Sequence, residues 1–352
     1  MRWMVVLILW TCCSDLVAEE SSASIDVIAK WKNPFGVEIA GGRLWLTSVD
    51  SQRVYESDVD GANAVIVAGN GTKGYSGDGG PADKASMNWP HEVRRDSQGN
   101  LFIADTRNHV IRRIDAGTGV ITTIAGTGVE GFSGDGGPAA AAQLRLPHSV
   151  VLLNDETLLV ADTGNHRLRQ IDLRSGKIET ISGNGEKRLP ADGAAAIKAP
   201  LFGPRAVAVA PDTIWIALRE GNSIWRIDRR DGTIHHVAGT GEKGYTGDGG
   251  PPELATFRGP KGLTIDARGR LLVVDTENHA VRRIDLDGKL VETVLGGTAA
   301  ESTTTLQRPH GIHGLPSGGF IVADSENDRV LSRSCQQIPH NSSDSLLSNP
   351  TR

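Results

Sequence analysis

Residues 101–115 read LFIADTRNHVIRRID, and the stretch returns as LLVADTGNHRLRQID at 158–172 and LLVVDTENHAVRRID at 271–285. A looser copy, FIVADSENDRVLSRS, occupies 320–334. Two more divergent copies, LWLTSVDSQRVYESD and IWIALREGNSIWRID, occupy 44–58 and 214–228. Each copy follows a proline that opens a short apolar run: Pro34, Pro90, Pro147, Pro204, Pro260 and Pro309. The prolines are 56, 57, 57, 56 and 49 residues apart, so six units repeat in phase.

Within a unit the periodicity is that of strands. A first strand follows the proline (Arg205 to Val209), and a Gly-containing turn such as Asp266 to Gly269 leads to a second (Leu271 to Val274). The Asp-Thr-x-Asn-His loop leads to a third, and an Asp…Gly turn such as Asp228 to Gly232 leads to a fourth (Thr233 to Ala238). Four short strands per unit, repeated radially, predict an all-β, six-bladed propeller of four-stranded antiparallel blades. The last unit lacks a fourth strand after Ser334, while Ile25 to Trp31 supplies a surplus one ahead of Pro34. The N-terminal strand is therefore expected to complete blade six and close the ring, leaving no free edge.

The 352-residue chain carries 37 Lys+Arg against 42 Asp+Glu, a net charge of −5. This mildly acidic balance gives no general attraction to phosphate backbones, so nucleic acid is not an expected partner. One positive charge at Arg2 precedes the apolar run Trp3 to Trp10, which is too short to span a ~30 Å hydrocarbon core. It reads as a signal peptide over residues 1–18, implying a secreted or periplasmic protein with no transmembrane segment. A lipoprotein acylated at Cys12 is the alternative. The propeller is assigned to 19–335 and a disordered polar tail to 336–352; of three cysteines only Cys335 would remain after cleavage, so no internal disulfide is expected.

The triplets Asn108-His109-Val110, Asn165-His166-Arg167 and Asn278-His279-Ala280, set in ADTxNH…RRID, resemble the NHL-repeat family. The AGTGxxG(Y/F)(S/T)GDGGP stretches at 125–138 and 238–251, with a variant at 68–81, are similar to those of bacterial secreted members. The resemblance covers residues 25–334 and implies the propeller fold. Function stays open, because such propellers serve as binding platforms, sensors and enzymes.

Two recurrent features read as scaffold. In the Asp-Thr-x-Asn-His loops, Asp and Asn are expected to bond the tight loop's own backbone N–H groups while His packs against the neighbouring blade. The GDGGP loops carry Asp78, Asp135 and Asp248, one carboxylate each, which falls short of a Ca²⁺ ligand set. The arginine pairs Arg112-Arg113 and Arg282-Arg283 are expected to be solvated charge on the blade exterior.

The informative position is the one after each aligned proline: Phe35, His91, His148, Arg205, Lys261 and His310. It enters the innermost strand, so all six side chains should surround one mouth of the central channel. Glu92 follows His91, and three residues further along each entry lie Glu38, Arg94 and His313, which the same reading places at that mouth. Two chemistries fit. His91, His148 and His310 can hold zinc with an open fourth position. These Pro-His entries also resemble those of peptidyl-hydroxyglycine lyases, which implies the same three histidines as metal ligands. The histidines here fall on adjacent blades two and three rather than on alternate blades, and no tyrosine matches the lyases' catalytic one. Alternatively Arg205 and Lys261, with Glu92, Arg94 and His313, bind a carboxylate, an anionic glycan or an acidic peptide. A third reading has Arg205 and Lys261 merely paired with Glu92, Glu38 or rim aspartates. The leading expectation is a monomeric binding module for a protein or anionic ligand at the Pro-His mouth. The alternative is a metal-dependent lyase or lactonase, with zinc or calcium as the candidate cofactor.

Overall fold

The computed structural model describes residues 24–297 and 304–334. The expected signal peptide, Cys12, Cys335 and the polar tail lie outside the described residues. Six antiparallel sheets are arranged around an axis, and blades 1, 2, 3 and 5 run outward in chain order from their proline-led strands. Blade 2 is representative: Pro90–Arg95 innermost, then Leu101–Asp105, Val110–Ile114 and Ile121–Ala125. Blade 4 adds a short outer strand, Ala194–Ala195, against Thr233–Ala238. In blade 6 the fourth strand is the N-terminal Ser24–Lys30, antiparallel to Arg329–Ser334, so the ring closes as expected.

The apolar side chains form six clusters, each between two neighbouring blades. Leu159, Leu168, Ile216 and Trp225 join blades 3 and 4, while Val37, Leu46, Ile321 and Val330 join blades 6 and 1. The alternation of the strands puts one set of side chains against each neighbour, so no blade can bury its faces alone.

The Asp-Thr-x-Asn-His loop fastens the blades. Oδ1 of Asp105 accepts from the Asn88 N–H at 2.7 Å, at the entry to its own blade. The Thr106 hydroxyl donates to the Pro147 carbonyl of the next blade at 2.6 Å, as Thr163 does to Pro204 and Ser325 to Pro34 across the closure. The final position (Gln52, His109, His166, Asn222, His279, Asp328) is in the left-handed region in all six blades. Its side chain accepts from the backbone N–H preceding the next blade's proline. The loop is scaffold, but with other partners than expected: Asp105 accepts from Asn88 outside the loop, Asn108 donates to the Gly74 carbonyl and to Asp105, and His109 accepts a hydrogen bond from the entry to the next blade.

The arginine pairs correct an expectation. Arg112 and Arg282 are fully buried rather than solvated, Arg283 is buried as well, and Arg169 at the matching position of blade 3 is fully buried too. Arg112 reaches Asp78 at 2.7 Å and Asp105 at 3.5 Å, and Arg169 and Arg282 repeat the arrangement with Asp135 and Asp162 and with Asp248 and Asp275. Adjacent residues of a strand face opposite ways, so one arginine of each pair must turn toward a neighbouring element. The GDGGP carboxylates are thus committed to guanidinium groups.

Candidate functional site

The residue before each aligned proline has positive φ in every blade: Asn33, Trp89, Leu146, Gly203, Gly259 and Arg308. For bulky Trp89, Leu146 and Arg308 this conformation is strained, and it is held by the loop acceptors of the preceding blade. The turn it makes aims the post-proline side chain at the axis. Phe35, His91, Arg205, Lys261 and His310 line one small axial chamber of about 20 Å³, together with Glu92. Phe35 stacks on His310 with ring centroids 3.9 Å apart and meets His91 edge-on at 4.5 Å; His148 meets His91 at 4.6 Å.

The polar contacts sort the charges. Arg205 donates to Nδ1 of His91 at 2.9 Å. No carboxylate among the described residues comes within ion-pair distance of Arg205, although its side chain is buried. Lys261 is paired with Glu277 at 2.8 Å and lies 3.4 Å from Nε2 of His310, whose Nδ1 contacts the Ser325 hydroxyl. Nδ1 of His148 is buried without a hydrogen-bond partner. Burial, reinforced by Arg205 at His91 and His148 and by Lys261 at His310, holds all three imidazoles well below 6.5. Burial and Arg219 bring Arg205 down to about 9 against the opposing pull of Glu92 and Glu220, and burial brings Lys261 down to about 8 against that of Glu277. Both remain cations at neutral pH.

The three histidines therefore converge, but two of them face a guanidinium or an ammonium. A dication between them would have to displace like charge. Among the described residues no group of three or more His, Cys, Asp or Glu side chains is arranged to hold a metal ion. Glu92 and Glu38 are both turned to Arg94, so neither forms an ion pair with Arg205.

Glu38, Arg94 and His313 correct the single-mouth expectation. They line a second cavity, of about 380 Å³, with Val151, Val207 and Ile265. Three residues along an extended strand is roughly 10 Å, enough to carry them to the other end of the channel. Glu38 is buried, its Oε2 has no hydrogen-bond partner, and Arg94 is 3.8 Å away. Burial raises Glu38 to about 7, and burial with Arg94 lowers His313 to about 4. Glu92 contacts both regions, lining the chamber while bonding Arg94.

Several residues at the Pro-His face were not singled out from sequence. Arg107 lies over the Trp89 ring at 3.4 Å, Arg308 bonds Glu277 and Glu326, and Arg219 pairs with Glu220 beside Arg205. They occupy two variable positions of the repeat: the loop's variable region and the residue before the proline. Variation within an otherwise repeated frame was the available signal.

The closed ring of radial four-stranded blades defines a six-bladed β-propeller. Two stretches of it, residues 144–171 and 257–284, match the family model described as the NHL repeat. The chain therefore carries NHL repeats within a six-bladed propeller. It is 28% identical over 270 residues to NHL repeat-containing protein 2 of Gallus gallus, covering 65% of this chain but 37% of that protein. In fold it is similar to an auxiliary nutrient binding protein from Bacteroides ovatus (TM-score 0.62, 13% identity, 88% of this chain and 70% of that one). It is also similar in fold to a gluconolactonase from Xanthomonas campestris (TM-score 0.59, 15% identity, 92% and 94%). The architecture thus hosts both binding proteins and enzymes.

Proposed function

We propose that this protein is an exported binding module that takes a ligand or partner protein at its Pro-His mouth, through a negatively charged group. The observation that carries the reading is Arg205, a buried guanidinium with no carboxylate partner at the centre of the side chains that break the repeat. Burying a charge without compensation is costly, and folds retain such groups where an outside partner supplies the counter-charge. Lys261 adds a second cation, and the ring of Trp89, Arg107, Glu277 and Arg308 gives the face aromatic and charged contacts. The net charge of −5 makes the cationic mouth a local feature rather than a general basic surface.

A glycan and acidic-peptide array probed with the purified protein tests the reading. Binding should disappear in the Arg205→Ala, Lys261→Ala double variant and persist in Arg95→Ala, at the other end of the channel. Retained binding in the double variant would refute it. Convergence of the three histidines gives the metal-dependent lyase or lactonase reading its support. Stoichiometric zinc in the purified protein, lost in His148→Ala, would favour that reading instead.

A further inference from the structure

We infer that the axial chamber is a seat for one carboxylate, with an oxygen against Arg205 and the rest of the molecule at the mouth. This rests on the binding reading above and commits it to one chemistry.

Three observations converge on it. Arg205 is 5% exposed, its hydrogen-bond partner is the neutral imidazole of His91, and Glu92 and Glu220 act on its charge only from beyond ion-pair distance. Glu92, the acidic side chain lining the chamber, is taken by Arg94, and Glu277 is shared between Lys261 and Arg308. Neither is left for Arg205. Nδ1 of His148, edge-on to His91, is a further buried polar atom without a partner.

Size then selects among anions. A chamber of about 20 Å³ holds one water-sized group. A single carboxylate oxygen fits that space, with its second oxygen and carbon directed outward toward the mouth. Sulfate or phosphate could seat one oxygen there too, but its three further oxygens would crowd a rim that includes the apolar Phe35 ring. The planar fork of Arg205 suits a carboxylate, and exclusion of water around it strengthens the contact. The carboxylate can come from a free small acid or from an Asp or Glu side chain of a polypeptide.

The test titrates the protein with acetate, with the tripeptide Gly-Asp-Gly blocked at both ends, and with sulfate. It follows thermal stability and the line width of ¹³C-acetate. Saturable stabilisation by acetate is expected, with at least roughly a tenfold loss of affinity in Arg205→Leu. In anion-free buffer that variant should melt no lower than wild type, because an uncompensated buried charge has been replaced by an apolar side chain. Should Arg205→Leu not fold, Lys261→Met provides the second variant, with weakened acetate binding expected. Tighter binding of the tripeptide than of acetate assigns the seat to a polypeptide side chain, and equal or weaker binding assigns it to a free acid. Absence of saturable acetate binding, equal binding in Arg205→Leu, or sulfate competing as well as acetate would overturn the inference. Array binding that still depends on the mouth would then leave the broader reading standing.

Discussion

The backbone N–H of Leu146, at the entry to blade 3, donates to Nδ1 of His109 in blade 2 at 3.1 Å. The same bond joins Gly203 to His166 at 3.1 Å and Arg308 to His279 at 3.0 Å. In blade 4 the acceptor is the Asn222 amide oxygen, 3.0 Å from the Gly259 N–H. The repeat's histidine is thus one of several side chains able to accept a hydrogen bond from a left-handed position. It sets the strained turn that aims the post-proline residue at the axis.

His109→Ala would leave the Leu146 N–H unpaired, and a loss of about 1–3 kcal/mol is expected. His109→Asn should cost clearly less, because asparagine fills this role at blade 4. Urea unfolding midpoints of the two variants provide the comparison. Equal losses would mean that ring packing, not the acceptor, is what His109 contributes.

Arg112 offers a sharper contrast. Its side chain is 0% exposed, while that of its partner Asp78 is 42% exposed. Arg112→Ala strands the buried Asp105 and removes a large packed side chain, so a loss of about 3 kcal/mol is expected. Asp78→Ala removes a screened carboxylate and should cost under about 1 kcal/mol. Denaturant midpoints that rank the two the other way round would contradict the assignment of Arg112 to the core.

The blade count, the proline entries and the closing strand were legible because each is a statement about phase, and phase survives in a one-dimensional string. Depth along the axis was not. Glu38 and Phe35 belong to one innermost strand, yet they serve opposite ends of the channel, since each residue advances the strand by roughly 3.3 Å. The buried face of the third strand was also hidden. Arg112 and Arg113 look alike in sequence, and the neighbouring GDGGP loop that receives Arg112 comes from 34 residues upstream, at Asp78. Convergence of His91, His148 and His310 was legible. That Arg205 and Lys261 sit against two of those rings depended on side-chain direction, which no pattern encodes.

Glu38 gives a pH-dependent prediction at the second mouth. The charged groups around it are Arg94, Arg95 and Glu92, with His313 neutral above about pH 4. Burial raises its pKa from 4.5 to about 7, so the folded state binds the proton more tightly than the unfolded chain. That contribution is complete below about pH 4.5 and is lost as the pH rises through about 7. Glu38→Gln has no such proton, so its melting temperature relative to wild type should climb between pH 5 and pH 8. The displacement corresponds to about 3 kcal/mol at most. A difference that is flat across this range would show that Arg94 neutralises Glu38 fully.

Closure of the ring concentrates three contacts at one seam. Ser24–Lys30 pairs with Arg329–Ser334, the Asn33 N–H donates to Asp328 at 2.7 Å, and the Ser325 hydroxyl donates to the Pro34 carbonyl at 2.6 Å. Ile28, Ala29 and Trp31 also pack on the cluster between blades 6 and 1. Removing residues 24–31 would bare the ladder edge of Arg329–Ser334, uncover that cluster and take Ile25 from the cluster between blades 5 and 6, while leaving the other four seams intact. A propeller divides its core among its seams, so loss at one seam exposes both adjoining blades and frees the ring to open. The truncated protein should melt at least about 10 °C lower than the full chain and more broadly, with added self-association through the bared edge, read by calorimetry and light scattering. If it instead keeps a sharp transition at the original temperature, the N-terminal strand is an ornament on blade 6 rather than its closure.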